Sequence, residues 1–443
     1  MDETRVILAL GTNLGRRLAN LRRAIHAVSV YAPVVSASPV YETAPWGILD
    51  QPAFLNQVVA ATTRLDPHEL LAAIKQTERD MGRRPVERNG PRLIDIDILF
   101  YGGEQIDGPD LQIPHPRLRG RSFILPALAD LAPDLKHPGL GMTAQELADE
   151  AGREGVMPYR PVIFGRRTLR MGVINLTPDS FSGDGLLALP DPNAAALDQA
   201  RRFIAGGADI LDLGGESTRP GAPVIDRDEE LARVLPAVTE LAEGDALVSV
   251  DTYKSEVAEA ALLEGADWIN DVWGLRADSR MAAVIARYGA TCVLMHNRSK
   301  PADVRLVDRL GGRYVGSQYS ELVGEVKAEL LASVDLALQA GIPAGRILID
   351  PGIGFGKTVD QNLELLDRLG EIRALGYPLV LGVSRKSFIG YTLDLPPGDR
   401  LEGTAAAVAI GIARGADVVR VHDLPFMTRV ARMSDAIVRR VVK

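Results

Sequence analysis

The stretch "GPRLIDIDILFYG", Gly90 to Gly102, sets two aspartates into an otherwise apolar run. With the two-residue period of a β-strand, Leu93, Asp95, Asp97 and Leu99 share one face, and Ile94, Ile96, Ile98 and Phe100 the other. Asp95 and Asp97 would then lie roughly 6.5–7 Å apart at their Cα atoms. At that spacing they repel, and a core would solvate them poorly. From spacing alone, such a pair suits a wet strand edge as well as it suits a metal ion.

A second set of reactive groups is spread over the C-terminal half. Short apolar runs there end in polar residues: Asn175, then Thr218 and Arg219, Asp251, Asn270, His296, Asp350, Ser384 to Lys386, and Arg420 with His422. Carboxylates and an amide (Asp251, Asn270, Asp350) can accept from the donor edge of a flat amino-pyrimidinone heterocycle. Lys386, Arg420, His422 and nearby Arg219 suit an anion, and arginine forks match phosphate oxygens. A structural ion-pair network is the competing reading. "DPGIGFGKT", Asp350 to Thr358, is glycine-rich but lacks the G-x-x-x-x-G-K-[ST] spacing, so it reads as a tight turn and not a P-loop.

Two kinds of scaffold must hold these groups. In the first ~155 residues, "RVILALGTN", "VVSASPVYET", "AFLNQVVAATTRL" and the aspartate strand alternate with helices over "LANLRRAIHAVSVY" and "PHELLAAIKQTERDM". The order βαββαβ predicts a ferredoxin-like α+β domain. After Arg167 a helix, a glycine and a buried strand recur, as in "FIAGGADILDLGGEST" and "GIARGADVVRVHD". Eight such strands predict an α/β (β/α)8 TIM barrel, with an open doubly wound sheet as runner-up; barrels gather reactive groups at the C-terminal ends of their strands. The expected boundaries are 1–158 for the first domain, 159–166 for a linker and 167–443 for the barrel.

Composition bounds the function. The chain has 443 residues, 46% hydrophobic and 24% charged, with a formal net charge of −8. That balance argues against a duplex nucleic-acid partner. A lone cysteine, Cys292, allows no intrachain disulfide and points to a reducing cytoplasm. The acidic start "MDETRVILALG" does not read as a signal peptide, and no apolar run approaches the ~20 residues of a membrane span.

The barrel motifs "MGVINLTPDSFSGDG", "GGESTRPGA", "VSVDTYK", "INDV", "LIDPGIGFGK", "GVSRKSFIG" and "RVHD" resemble, in order, those of the dihydropteroate synthase family. That resemblance implies condensation of a dihydropterin methyl diphosphate with p-aminobenzoate. It implies that Asp251, Asn270, Asp350 and Lys386 hold the pterin, and that Asn175, Arg420 and His422 bind the diphosphate, with one Mg2+ at Asn175. Loops carrying Asp179, Phe181, Thr218 and Arg219 would close over the site, with Asp179 and Lys386 in catalysis. Thr218, Arg219, Phe355 and Ser387 would meet p-aminobenzoate. The family also implies a homodimer through the barrel. "SGDG" departs from the family's frequent "SDGG" at Asp184, and "HNRSKPADVRLVDRLGG" departs after strand five.

"GTNLG", "YETAPWGILDQPAFLNQVV", "MGRRPVERNGPRLIDIDILFYG" and "IPHPRLRGRSFILPAL" resemble the 6-hydroxymethyl-7,8-dihydropterin pyrophosphokinase family. Asp95 and Asp97 would then hold two Mg2+ ions with ATP, and Arg83, Arg84, Arg92, His115 and Arg121 would neutralise the triphosphate. Arg92, Asp95 and Asp97 would serve catalysis. Phe54 and Phe123 would stack on the pterin, with Asn56 and Thr43 at its edge. Asn89 stands where the family often has an aromatic residue. Together the two resemblances imply a bifunctional folate-biosynthesis enzyme whose first product is its second substrate. Two alternatives are a pterin-binding methyltransferase partner for the barrel and a non-catalytic regulatory module for the N-terminal domain.

Overall fold

The computed structural model of the chain describes residues 3–45, 47–84, 90–178, 185–217, 222–299, 304–307, 309–315 and 318–441. Asn89, Asp179, Phe181, Asp184, Thr218 and Arg219 lie outside the described residues. The chain divides into two units, Met1–Pro161 with Ala286–Ala290, and Val162–Ile285 with Thr291–Lys443.

In the first unit, β1 (Thr4–Thr12), α1 (Arg17–Val28), β2 (Val34–Ala37), β3 (Tyr41–Thr43) and β4 (Phe54–Thr63) precede α2 (Pro67–Asp80) and β5 (Asp95–Tyr101). A small hairpin of β6 (Ile106–Asp107) and β7 (Gln112–Ile113) leads to α3 (Leu125–Leu131), α4 (Ala144–Ala151) and β8 (Val156–Pro158). The sheet runs β5-β1-β4-β3-β8 with every pairing antiparallel, and β2 also pairs with β4. Where one strand is expected over "VVSASPVYET", two form. Pro39 has no N–H to give the ladder and separates them.

Two local features set the aspartates in place. Asp66 caps α2 by accepting from the N–H groups of His68 and Glu69, and Glu69 returns the bond to Asp66 N–H. In β5, Ile7 pairs with Phe100 and Leu8 with Ile98, so a bulge interrupts the alternation after the aspartates. Leu99 and Phe100 consequently enter one apolar cluster with Ile7, Ala9, Val58 and Leu125, and not opposite faces as strict alternation requires.

The second unit is the expected TIM barrel. Its strands are β9 (Leu169–Asn175), β10 (Ile210–Gly214), β11 (Leu247–Asp251), β12 (Trp268–Asp271), β13 (Thr291–Met295), β16 (Ile347–Asp350), β17 (Val380–Leu381) and β18 (Val418–Val421). A hairpin of β14 (Val304–Val307) and β15 (Gly311–Tyr314) follows β13. The parallel order β16-β13-β12-β11-β10-β9-β18-β17 is joined end to end by a bridge between Ile349 and Leu379. The helices are α5 (Pro192–Ala205), α6 (Arg227–Leu241), α7 (Ser255–Leu263), α8 (Met281–Tyr288), α9 (Leu322–Gln339), α10 (Val359–Asp367), α11 (Leu369–Arg373), α12 (Ser387–Leu393), α13 (Leu401–Ala413) and α14 (Leu424–Val438). No helix among the described residues is long and apolar enough to cross a membrane.

The barrel interior is graded. Leu169, Met171, Ile210, Leu247, Trp268, Val293, Leu348, Val380 and Val418 form an apolar floor. Val162 and Phe164, from the stretch read as linker, pack against that floor, with the Phe164 ring 6.4 Å from that of Trp268. Two residues further along several strands come Asp212, Ser249, Asn270, Asp350 and Arg420, so the polar layer rests directly on the apolar one.

Arg400, fully buried, anchors the chain on both sides of α12. Its guanidinium donates to the carbonyls of Arg385 (3.0 Å), Leu310 (2.9 Å) and Leu395 (3.2 and 3.3 Å). Arg400→Met would leave those carbonyls unsatisfied and lower stability by about 3 kcal/mol. Denaturant unfolding of the two proteins will read this as a lower midpoint at an unchanged slope.

Candidate functional sites

Thr43, Phe54, Asn56, Arg83, Arg92, Asp95, Asp97, His115, Arg121 and Phe123 line one cavity of about 530 Å³ in the first unit. Arg84 is exposed and does not line it. The sheet register explains the convergence: Gly11 on β1 lies between Asn56 on β4 and Asp95 on β5. A Cβ at Gly11 would come within 3.2 Å of Asn56 Oδ1, so the glycine keeps the floor open. Asn56 Nδ2 donates to Thr43 Oγ1 at 2.8 Å, which orients the amide.

The aspartates are compensated by arginines. Asp95 accepts from Arg83 at one oxygen and Arg92 at the other, each at 2.7 Å. Asp97 accepts from Arg121 at 2.5 Å. Arg92 and Arg121 also lie over the rings of Phe54 and Phe123, 6.0 and 5.8 Å from the centroids. Burial pushes the Asp97 carboxyl up, but Arg121 outweighs it and, with His115 and Lys75, holds the pKa below its ordinary value. His115 is lowered by burial and by Arg121.

Three groups add to the expected set: Lys75 and Glu78, outside the quoted motifs, and Arg117, inside "IPHPRLRGRSFILPAL". Lys75 and Arg117 line the cavity, and Glu78 anchors it from α2. Glu78, almost fully buried, accepts from Arg83, from Ile96 N–H at 2.8 Å and from Lys75 at 3.0 Å. It therefore ties α2 to the residue between the two aspartates. Lys75 and Glu78 share a helix face at i,i+3, which was the one local signal.

The donor set fits Mg2+. Asp95 and Asp97 offer only oxygens, their side chains are 23% and 26% exposed, and each oxygen has a second lone pair. Among the described residues no group of three or more His, Cys, Asp and Glu side chains gathers to hold a metal. Mg2+ commonly keeps several waters and takes further ligands from substrate phosphates, so two carboxylates are a sufficient protein share.

In the barrel, Asn175, Gly214, Asp251 and Asn270 form one hydrogen-bonded row across β9 to β12. Asp350 caps its own turn by accepting from Gly352 N–H at 2.7 Å. Lys386 Nζ donates to Ile353 carbonyl and lies 4.5 Å from the Phe355 ring centroid. Ser387 begins α12, and the Ser384 hydroxyl meets His422 Nδ1 at 3.0 Å. Arg420, expected on the diphosphate, is held among the pterin set: Nε donates to Asp212 at 2.6 Å and Nη2 to Asp251 at 2.8 Å. Asn175 offers one amide oxygen, chemistry a Mg2+ ion bound mainly by diphosphate and water accepts.

The turn from Asp350 to Lys357 is held from beneath. Lys357 Nζ meets His296 Nδ1 at 3.0 Å and the carbonyls of Gly352 and Phe355 at 2.9 and 3.1 Å. Burial lowers Lys357 to about 7 and His296 to about 4. Gly352 has φ +67°, and a Cβ there would stand 1.9 Å from His296 carbonyl oxygen. No larger residue fits.

Burial also raises Asp350, lowers Lys386 to about 8, and raises Asp251 to about 7. For Asp251, Arg420 opposes burial while Asp212 adds to it. Asp251 Oδ1 is buried with no partner among the described residues.

The chain matches the family described as 7,8-dihydro-6-hydroxymethylpterin-pyrophosphokinase over residues 7–133 and the family described as pterin binding enzyme over residues 171–422. It is 40% identical to the mitochondrial folate synthesis bifunctional protein of Arabidopsis thaliana, covering 99% of this chain and 84% of that one. It is 37% identical to the folic acid synthesis protein fol1 of Pneumocystis carinii, again over 99% of this chain, and spans 60% of that protein's length. A dihydropteroate synthase from Coxiella burnetii solved in complex with pteroic acid aligns with 63% of this chain and 96% of its own, at 33% identity and a TM-score of 0.55.

The raised Asp251 carboxyl makes a pH prediction. From its ordinary 3.8 up to about 7 the folded chain holds this proton more tightly than the unfolded chain does. The group's contribution to stability therefore falls as pH rises through that window. Asp251→Asn removes the dependence, so its melting temperature will gain on the wild type between pH 5 and pH 8. A constant difference across that range would refute the shift.

Proposed function

The chain belongs to the pterin binding enzyme family, as a bifunctional folate synthesis protein joining a hydroxymethyldihydropterin pyrophosphokinase to a dihydropteroate synthase, and on that premise we propose how its residues divide the work. The methyltransferase and regulatory readings are not favoured by these relationships.

The first unit, read as a ferredoxin-like α+β domain from its β5-β1-β4-β3 order, transfers diphosphate from ATP to 6-hydroxymethyl-7,8-dihydropterin and releases AMP. Phe54 and Phe123 sandwich the pterin ring, and Asn56, fixed by Thr43, reads its edge. Arg83, Arg92 and Arg121, with Lys75 and Arg117, turn from carboxylates to phosphate oxygens when the triphosphate arrives. Asp95 and Asp97 would hold two Mg2+ ions, which would neutralise phosphate charge. His115, its pKa lowered by burial and by Arg121, donates one hydrogen bond to a phosphate.

The barrel joins that pterin diphosphate to p-aminobenzoate. Asp251, Asn270 and Asp350 accept from the pterin's amino-pyrimidinone edge, and Lys386 donates to it. Arg420 bridges from the pterin set to the diphosphate, which His422 and Asn175 also meet, the latter with Mg2+. Phe355 and Ser387 border the p-aminobenzoate, and Thr218, Arg219 and Asp179, which the resemblance adds to this site, lie outside the described residues. Water exclusion favours attack by the arylamine over hydrolysis as the diphosphate leaves.

The remaining readings concern context. The single cysteine supports a cytoplasmic location, although the Arabidopsis relative is named mitochondrial. A homodimer through the barrel is supported by apolar Met433 and Ile437, exposed on α14.

The observation that carries the function is convergence: residues of four separated N-terminal motifs line one cavity, and acceptors from four barrel strands meet at one mouth. The purified chain given ATP, Mg2+, hydroxymethyl-dihydropterin and p-aminobenzoate will form dihydropteroate, AMP and diphosphate. Asp97→Ala will abolish AMP release yet still form dihydropteroate when pterin diphosphate is supplied. Loss of both activities together would defeat the division of labour.

A further inference from the structure

Asp212 lies in the middle of β10, one layer below the row that carries Asp251, and its side chain is wholly buried. A carboxylate there, resting on an apolar floor, is costly unless it is engaged. One oxygen, Oδ2, accepts twice: from Arg420 Nε at 2.6 Å and from Asn270 Nδ2 at 3.2 Å. The three residues come from β10, β18 and β12, so one atom ties together strands that are not all neighbours.

Each bond fixes a direction. With Nδ2 committed to Asp212, the amide plane turns Asn270 Oδ1 away from it as an acceptor. With Nε committed to Asp212 and Nη2 to Asp251, the Arg420 fork cannot rotate about its stem. Beside the Lys386 donor, the pocket edge then presents three acceptor groups, Asp251, Asp350 and Asn270 Oδ1, which suit the amino and N–H donors of an amino-pyrimidinone. If Asn270 flipped, a donor would face the ring's own donors.

Resting on the pterin-pocket reading above, we infer that Asp212 is a positioning residue that sets the pterin specificity of the barrel by fixing the Asn270 amide and the Arg420 fork. Its role is that of an acceptor rather than of a charge. Arg420 is shared by two carboxyl groups, so a neutral acceptor at position 212 still leaves the guanidinium its contact with Asp251.

Steady-state kinetics of the full chain with pterin diphosphate and p-aminobenzoate tests this, with melting temperatures alongside. Asp251→Ala checks the underlying reading: if it leaves the KM for pterin diphosphate unchanged, the pocket assignment fails whatever Asp212 does. Given that control, Asp212→Leu removes the acceptor and will raise the KM for pterin diphosphate by about tenfold or more, since small misplacements in a site are expensive. The KM for p-aminobenzoate will stay within about twofold, because uniform damage would move both. Asp212→Asn, which can present an oxygen at the same place, will restore most of the pterin KM. An unchanged pterin KM in a folded Asp212→Leu, an equal rise in both KM values, or an Asn variant as impaired as the Leu variant would each overturn the inference. Should Asp212→Leu show no cooperative melt, Asp212→Asn decides alone: a pterin KM near wild type supports it, and one as high as that of Asp251→Ala refutes it.

Discussion

A carboxylate on a strand that is otherwise apolar must be matched by a cation, and both sites of this protein are organised by that need. Leaving one such charge buried and unpaired costs several kcal/mol. Asp95 and Asp97 are met by Arg83, Arg92 and Arg121, and Asp212 and Asp251 share Arg420. The surrounding elements serve this pairing. Glu78 on α2 holds Arg83, Gly11 keeps space between Asn56 and Asp95, and the barrel floor lifts the acids toward the mouth.

The two sites use the pairing differently. In the first unit the arginines sit in a cavity beside partly exposed acids, so the same guanidiniums can exchange carboxylate oxygens for phosphate oxygens at little geometric cost. In the barrel the acids are less exposed, Asp212 at 0% and Asp251 at 10%, and Arg420 is locked at two of its donors. One arrangement lends itself to receiving a mobile, highly charged nucleotide with its metal. The other lends itself to shape and hydrogen-bond selection of a flat ring.

Much of this was legible in the chain. The eight barrel strands follow from the recurrence of helix, glycine and apolar run; in the N-terminal part the first strands and helices follow the expected order apart from the division at Pro39, but the β6–β7 hairpin and β8, which adds to the sheet edge beside β3, were not expected. The aspartate face was readable from period two until the bulge brought Leu99 and Phe100 into one cluster, because a bulge leaves no mark in hydrophobic alternation. Asp212 carried the same signal as Asp95, an acid inside an apolar strand, but attention to strand ends looks one layer too high. Lys357 sits in a readable glycine-rich turn, yet its contact with His296 spans 61 residues and nothing local announces it.

The sequence by itself determined the residue types at each site, the periodicities that put them on one face, and the family whose motifs they carry. Those properties are local or combinatorial, so they survive without coordinates. Only the tertiary structure decided which cation meets which acid: that Arg83 faces the cavity while Arg84 faces outward, and that Arg420 joins Asp212 and Asp251. Charge pairing acts through space over a few ångströms. The partners here are brought together across as many as 208 residues of chain, a proximity that sheet order and barrel closure alone create.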